Sequence, residues 1–236
     1  MLAIGQIHID CFRLRVRRLK RAIRFYSALF GVPVIEELAD GELYMFLLAD
    51  GRKLLIDDIR QADIREPLSR PIAIVTAEDL GEQHLQVQKM NFAYVSSIES
   101  GIQYPYFVCR DRDANEFVVA ERPFNYPAAI ASSGGPIGSG ICRAAVPSGD
   151  IQNAQAFYHA WLGDNVSCFN VVPKLEGISA ASPLLYFPSG NLVAAYQHLQ
   201  AIGATLHTKM EDAILGHAIR FSDPDGHLME IIEAKM

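Results

Sequence analysis

The stretch from Phe221 to Glu233 reads FSDPDGHLMEIIE. Pro224 presets the backbone φ for a turn and Gly226 tolerates a positive φ, so Asp223 to Gly226 predicts a tight reversal between two strands. Beyond the turn, side chains alternate between the two faces of the return strand, which places the carboxylate of Glu230 between apolar neighbours. Such a carboxylate is either a ligand or base in a cavity, or a charge on a solvated strand face.

Length and composition narrow the class of protein. The chain has 236 residues, of which 50% are hydrophobic, and a net charge of -6, which suits two domains of ordinary size. The negative charge argues against general nucleic-acid binding, and no apolar run approaches the roughly 20 residues of a membrane span. The four cysteines show no CxxC spacing and the N-terminus carries no signal-peptide pattern, which predicts a reduced, cytoplasmic protein.

Two sequence motifs occur twice at constant spacing. The first follows a predicted strand, Ile7 to Val16, and recurs at an offset of 132 (154 minus 22): Ala22, Phe25, Tyr26 and Gly31 become Ala154, Phe157, Tyr158 and Gly163. The second recurs at an offset of 112 (192 minus 80): Leu80, Asp111, Asp113 and Glu121 become Leu192, Asp223, Asp225 and Glu233. Constant offsets over such distances indicate an internal repeat.

The repeat predicts the domain organisation. We expect an α+β chain of four β-α-β-β-β modules paired into two domains, residues 1–125 and 140–236, joined by a linker at 126–139 that is rich in glycine, serine and alanine. The two offsets differ by 20 (132 minus 112), and the loss falls between Gly163 and Ser182. The third module is therefore predicted to be shortened, because so short a segment cannot hold three full strands.

Paired modules with AxxFYxxxxG after the first strand and DPDGxxxEIIE at the end resemble the vicinal oxygen chelate superfamily, which includes glyoxalase I, bleomycin-resistance proteins and extradiol dioxygenases. The resemblance covers nearly the whole chain apart from the linker. It implies that each pair of modules curls its strands into a cup, where many members hold a divalent metal through histidines on first strands and a glutamate on a last strand. Such a ligand set leaves coordination positions open for substrate oxygens.

Other residues occupy the positions that the resemblance implies for metal ligands. They are Cys11, Ile72 and Val118 in the first domain and Arg143, Leu184 and Glu230 in the second. An arginine repels a divalent cation and pairs with carboxylates, so we predict an ion pair between Arg143 and Glu230. No metal is expected as a cofactor. Binding of a divalent metal by Glu230 and His217 stays an alternative, because His217 is the best placed of the spare histidines.

Without a metal, we expect a cup to bind a small organic molecule through shape, stacking and a few polar groups. The candidate ligand-binding residues are Cys11, Arg13, Arg143, Glu230, Tyr104 and Tyr106, with Arg15 and Tyr44 as further candidates. An inward Arg13 favours an anionic or carbonyl-bearing ligand and the tyrosines favour an aromatic one. Cys11 is a weak candidate nucleophile without a neighbouring base. The same residues would equally suit packing between domains.

The sequence therefore favours a small-molecule-binding member of the superfamily without the usual metal triad. Two alternatives stay open. One is a metal-dependent lyase or ring-cleaving dioxygenase that uses Glu230 with a non-standard histidine. The other is a chain whose degenerate cups serve only assembly, for example as a homodimer through exposed sheet edges. The basic run from Arg13 to Arg24 is interpreted as the solvated faces of a strand and a helix.

Overall fold

The computed structural model describes residues 7–58, 72–101, 104–121, 127–130, 137, 140–141, 143–174 and 184–234. Its first sheet contains β1 (Ile7–Val16), β2 (Leu43–Leu47), β3 (Lys53–Asp58), β4 (Ile72–Ala77), β5 (Tyr94–Val95), β6 (Glu99–Ser100), β7 (Pro105–Arg110), β8 (Glu116–Ala120) and β9 (Ala128–Ile130). Its second sheet contains β10 (Arg143–Ser148), β11 (Phe169–Pro173), β12 (Leu185–Ser189), β13 (Thr205–Leu206), β14 (Ala218–Ser222) and β15 (Leu228–Glu233).

Six α-helices accompany the sheets in the described part of the chain. They are α1 (Leu19–Phe30), α2 (Glu36–Ala39), α3 (Leu80–Lys89), α4 (Ile151–Leu162), α5 (Leu192–Ala201) and α6 (Met210–Gly216), and a 3-10 helix, Gly163–Cys168, follows α4. None of the helices described is both long and apolar enough to cross a membrane. The predicted α+β class is confirmed.

The two sheets share one strand order. The first runs β5-β7-β8-β4-β1-β3-β2-β9, with β6 beside β7, and the second runs β13-β14-β15-β12-β10-β11. The central pairs also agree in direction, because β1 and β10 are each antiparallel to one neighbour and parallel to the other. The sequence repeat therefore corresponds to a repeat of topology, in which β8 matches β15 and β1 matches β10.

The second sheet is smaller on the side where the sequence has lost residues. After α4 the chain enters β11, which lies parallel to β10 as β3 lies parallel to β1. Among the residues that the structure describes, the second sheet has no counterpart of β2 or β9. Strand β9 itself falls within the stretch predicted as a linker, where it pairs in parallel with β2, so part of that stretch extends the first sheet.

A shared hydrophobic core joins the two sheets. Helices α1 and α4 lie in this core, and aromatic side chains connect the halves. Ring pairs that cross between them include Phe25–Phe221, Phe30–Phe187 and Trp161–Phe117, with centroids 6.5, 5.9 and 5.1 Å apart. Each sheet thus gives one face to the common core and leaves the opposite face for a separate cup.

A β-bulge in β1 decides which side chains enter the first cup. The register between β1 and β4 shifts between Ile9 and Cys11. Ile9 and Phe12 both belong to the shared core, whereas Cys11 belongs to a separate cluster on the cup face. Because a bulge adds one residue to a strand, Asp10 joins Cys11 on the cup side, where it pairs with Lys53.

Candidate functional site in the second cup

The centre of the first cup is packed with its own side chains. Five buried residues form one cluster there: Cys11, Met45, Leu55, Ile74 and Val118. Cys11 lies opposite Ile74, and Ile74 lies beside Val118. Ile72, a position that the resemblance implied for a ligand, lies in β4 opposite Arg13, and its side chain is outside the described residues.

The thiol of Cys11 has no exposed surface. Burial raises its pKa far above the ordinary value, and the negative charge of Asp10 acts in the same direction. The thiol donates to the Phe12 carbonyl oxygen at 3.4 Å. A thiol kept neutral in this way is a poor nucleophile.

The charged side chains of the first cup are already paired. The guanidinium of Arg13, which we expected to meet an anionic ligand, instead forms an ion pair with the carboxylate of Asp57. Further ion pairs on this face are Lys53–Asp10, Arg15–Glu116 and Arg110–Glu116, at 3.0, 3.7 and 2.6 Å. Paired charges around an apolar centre leave little reason for a charged ligand to bind.

Tyr106, one of the three tyrosines predicted as walls of the first cup, packs against the cup cluster. Its hydroxyl donates to Glu99 at 2.9 Å. That hydrogen bond, together with burial, raises the pKa of Tyr106. Tyr44 instead lies in the shared core, where its hydroxyl accepts from the Ile35 amide at 3.1 Å. Tyr104 is half-buried just before β7.

The second cup presents a row of four polar side chains, which we call the second-cup row. In register across β10, β12, β15 and β14 it consists of Arg143, Tyr186, Glu230 and Arg220. Register partners on neighbouring strands point to the same face. Beside the row lies an apolar cluster to which Tyr186 also belongs, together with Ala145, Val172 and Ile232.

The middle of the row is buried and its ends are exposed. Tyr186 and Glu230 are 7% and 9% exposed, whereas the Arg220 side chain is 53% exposed. Glu230 Oε2 accepts from Arg220 Nε at 2.7 Å. Burial raises the pKa of Tyr186 and the charge of Glu230 adds to the rise, while a hydrogen bond with Asn170 and the charges of both arginines oppose it.

The predicted ion pair between Arg143 and Glu230 is replaced by one with Arg220. All three side chains share a face, but the Tyr186 strand lies between Arg143 and Glu230, so two strand spacings, roughly 10 Å, separate their backbones. Sequence reasoning missed Arg220. Counting outward from the Asp223 turn would have found it, because the hairpin register sets Arg220 opposite Glu230.

Leu184, the remaining implied ligand position of the second domain, belongs to the shared core. His217 has a left-handed backbone (φ 55°) at the end of α6 and forms an ion-pair contact with Glu233. Glu233 is three residues from Glu230 and therefore points to the opposite face of β15, so His217 and Glu230 are not brought together.

The residues of the cups do not fit the metal site that the resemblance implies. A tight site normally needs three protein ligands, and Glu230 is a lone carboxylate already paired with a guanidinium. Over the described ranges, no group of three or more His, Cys, Asp or Glu side chains is placed to hold a metal ion. The chemistry that this face offers is hydrogen bonding and charge pairing.

The repeated motif residues join the two halves instead of lining the cups. The Tyr26 hydroxyl donates to Asp223 Oδ2 at 2.9 Å, and the Tyr158 hydroxyl donates to Asp111 Oδ2. Burial and the charge of the neighbouring aspartate raise the pKa of both tyrosines. Each tyrosine of one half thus binds the turn of the other half, an arrangement that we call the junction latches.

Comparisons with known proteins agree with this architecture. Residues 8–119 match the family model described as Glyoxalase/Bleomycin resistance protein/Dioxygenase superfamily. No curated protein matches the chain.

Similar solved structures include the homoprotocatechuate 2,3-dioxygenase from Brevibacterium fuscum in complex with 3,4-dihydroxyphenylacetate, with TM-score 0.67, 12% identity, and coverage of 100% of this chain and 83% of that one. The 2,2',3-trihydroxybiphenyl 1,2-dioxygenase from Sphingomonas wittichii strain RW1 gives TM-score 0.61, 12% identity, and coverage of 98% and 91%. The Mn(II)-bound glyoxalase from Novosphingobium aromaticivorans gives TM-score 0.56, 14% identity, and coverage of 98% and 82%.

Identities this low establish a common fold and no common activity. The fold likeness spans nearly the whole chain, and the family model covers the first sheet from β1 to β8. Residues 8–119 are therefore similar in sequence to the Glyoxalase/Bleomycin resistance protein/Dioxygenase superfamily, and the chain as a whole shares the fold of these dioxygenase and glyoxalase structures.

Proposed function

We propose that this protein binds a small organic anion in its second cup, through the second-cup row and without the three metal ligands typical of its relatives. The observation that carries the proposal is the contrast within the row. A buried tyrosine and a buried carboxylate lie between two guanidinium groups, on the sheet face that points away from the shared core.

Arg143 is the group best suited to meet an anion. It is exposed, and no hydrogen bond or ion pair engages its guanidinium within the described ranges. Guanidinium groups bind carboxylates in a bidentate geometry. Arg220 uses its Nε on Glu230, which fixes the side chain and leaves both terminal nitrogens for a ligand.

Tyr186 supplies a neutral donor between the two arginines. Burial raises the pKa of Tyr186, and the hydrogen bond with Asn170 opposes that rise, as expected when the amide donates to the phenolic oxygen. The O–H of Tyr186 is then available to donate to a ligand. Ala145, Val172 and Ile232 add an apolar surface beside the row, so the ligand should combine an anionic group with an apolar body.

A ligand screen followed by titration tests the proposal. We would record the melting temperature with aromatic and aliphatic carboxylates and measure the dissociation constant of each hit by calorimetry. An Arg–carboxylate hydrogen bond contributes about 1.5–3 kcal/mol, so Arg143→Gln should weaken binding at least tenfold. Arg112→Gln, an exposed arginine in the 111–115 turn, is the matched control. A hit that binds equally well to both variants would refute the site, and a screen without hits would refute the ligand class.

A further inference from the structure

The basic run from Arg13 to Arg24 divides into two parts with different surroundings. Arg13 and Arg15 point into the first cup and are paired with carboxylates. The rest of the run lines a separate cavity of about 450 Å3, bounded on its other side by residues 39–41, which we call the α1 groove. Its charged lining residues are Arg17, Arg18, Lys20, Arg21, Arg24 and Asp40.

The α1 groove has a large charge excess. Five cations meet one carboxylate, a local charge of +4 (5 minus 1), in a chain whose net charge is -6. That carboxylate forms an ion pair with Lys20, whose Nζ lies 2.6 Å from Asp40 Oδ1. The hydrogen bond from Lys20 lowers the pKa of Asp40. Among the described residues no partner engages the guanidinium groups of Arg17, Arg18, Arg21 or Arg24.

This concentration of positive charge is unfavourable for the start of helix α1. The first turn of α1 contains no acidic residue, although the partial positive charge of a helix start favours acids there and disfavours bases. Like charges three or four residues apart on a helix also repel each other, and Arg24 stands at those distances from Arg21 and Lys20. When a chain breaks such a preference and no carboxylate within the chain compensates for it, the surface concerned is expected to have a function.

The walls of the α1 groove are held in place by contacts that do not involve the guanidinium groups. The backbone amide of Arg17 donates to Asp225 Oδ1 at 3.1 Å, which ties the start of the groove to the 223–227 turn. Leu19 is buried in the shared core. Lys20 and Asp40 link α1 to the wall opposite. The arginine side chains therefore project from a fixed backbone.

We propose that the α1 groove binds a small polyphosphate, inorganic or as the phosphoryl tail of an organic molecule. Several guanidinium groups in one cavity match the geometry and charge of adjacent phosphoryl groups, each of which accepts bidentate hydrogen bonds. The volume lies in the range of small-molecule sites, roughly 300–1,000 Å3. The groove shares no residue with the second-cup row, so this site is independent of the proposed function.

Titration of the full chain with inorganic pyrophosphate tests the inference. We expect saturable binding that is at least tenfold tighter than binding of orthophosphate at equal ionic strength, because two phosphoryl groups engage more arginines. The double variant Arg21→Gln/Arg24→Gln should weaken pyrophosphate binding at least tenfold, whereas Arg112→Gln should change it less than twofold. Arg143→Gln should also leave it unchanged, which separates this site from the second cup.

Absence of saturable binding would overturn the inference, and so would equal affinity of the double variant or a loss in Arg143→Gln. Citrate binding as tight as pyrophosphate binding would overturn the assignment to phosphates. Thermal unfolding of the double variant checks its fold. We expect an unchanged or higher melting temperature, because cations at a helix start are removed. If the double variant unfolds, Arg18→Gln alone carries the same expectation of weaker pyrophosphate binding.

Discussion

The first and second cups are built on the same strand order but hold different side chains. Val118 on β8 and Glu230 on β15 occupy equivalent positions, at the same offset of 112 (230 minus 118) that relates the second motif to its copy. Around Val118 the first cup is apolar and its charges are paired. Glu230 instead lies between Tyr186 and Arg220, in a row that ends on Arg143, which has no ion-pair partner among the described residues. The comparison teaches that one strand order can carry either a self-packed apolar cluster or a row of polar side chains on the same face of its sheet.

The two cups can be compared only if the two halves of the chain are held together equally well at both junction latches. Variants of the latch residues test this, and we expect them to change the free energy of unfolding more than any other variant below. Asp223 accepts hydrogen bonds from Tyr26, from the His227 ring and from the amides of Asp225 and His227. Replacing Asp223 with alanine leaves these buried donors unpaired, and we expect a loss of about 3–5 kcal/mol in the free energy of unfolding. Chemical denaturation measures it.

The equivalent variant Asp111→Ala should lose a similar amount, because Asp111 binds Tyr158, Asn115 and two turn amides in the same pattern. Asp212→Ala, an exposed acid on α6, serves as the control. A large loss in one latch variant and none in the other would show that the halves are not anchored alike.

Exchanging the equivalent cup residues probes the comparison directly. Val118→Glu places a carboxylate against Cys11, Leu55 and Ile74. Burying a charge without a partner costs about 2–4 kcal/mol after relaxation, so the free energy of unfolding should fall by that amount. Val118→Ile controls for volume. A Val118→Glu variant as stable as the wild type would mean that the first cup accepts polar groups, contrary to our account.

The reverse exchange, Glu230→Val, should leave stability within about 1 kcal/mol, because an ion pair with a solvent-exposed partner contributes little to stability. Arg220 is half exposed and can be hydrated once its partner is gone. Binding of the screened anion should nevertheless weaken, since Arg220 loses the contact that orients it. A variant that binds as tightly as the wild type would remove Glu230 from the site.

A smaller difference separates the two junctions. Asp113 accepts from Ser148 Oγ at 2.8 Å, but the position equivalent to Ser148 in the other half, at the offset of 132 (148 minus 16), is Val16. Accordingly Oδ2 of Asp225 is buried with no hydrogen-bond partner in the described part of the chain. We expect Ser148→Ala to lose about 1 kcal/mol and Val16→Thr to gain up to about 1 kcal/mol in the free energy of unfolding. Val16→Ala is the control for the valine site.

The Ser148 effect should depend on pH. Burial alone would raise the pKa of Asp113, but hydrogen bonds from Ser148, Lys174 and the Gly149 amide outweigh it and lower the pKa below its ordinary value. A carboxyl whose pKa is lower in the folded state adds stability above its unfolded pKa, and that stability is lost as the pH falls through the folded pKa. The difference between wild type and Ser148→Ala should therefore be larger at pH 6 than below about pH 3. An increase on acidification would contradict this.

The features that can be predicted from the sequence are those that depend on residues close to one another along the chain. Alternation from Cys11 to Val16, the hairpin after Asp223 and the repeat follow from local patterns, and the structure contains all three. The face of Tyr44 was not predictable from alternation, because every neighbour in Leu43–Leu47 is apolar and the strand shows no polar side.

The rest depends on contacts between distant segments. Arg143 and Tyr186 lie far apart in the sequence, and their register is set by the packing of β10 on β12. No sequence pattern indicates the bulge at Asp10, yet this bulge decides which side chains enter the first cup. The role of Tyr26 in a junction latch required the second half to be placed against the first.

Ligand occupancy of the two cups, followed through resonances of the protein itself, tests the central claim most directly, because a tyrosine lies at the apolar cluster of each cup, Tyr106 in the first and Tyr186 in the second. We would incorporate fluorotyrosine, assign both 19F resonances with Tyr106→Phe and Tyr186→Phe, and titrate the best anion from the screen. Our account predicts that the Tyr186 resonance shifts in a saturable way while the Tyr106 resonance stays in place. A saturable shift of Tyr106 with none of Tyr186 would assign ligand binding to the first cup and contradict the account.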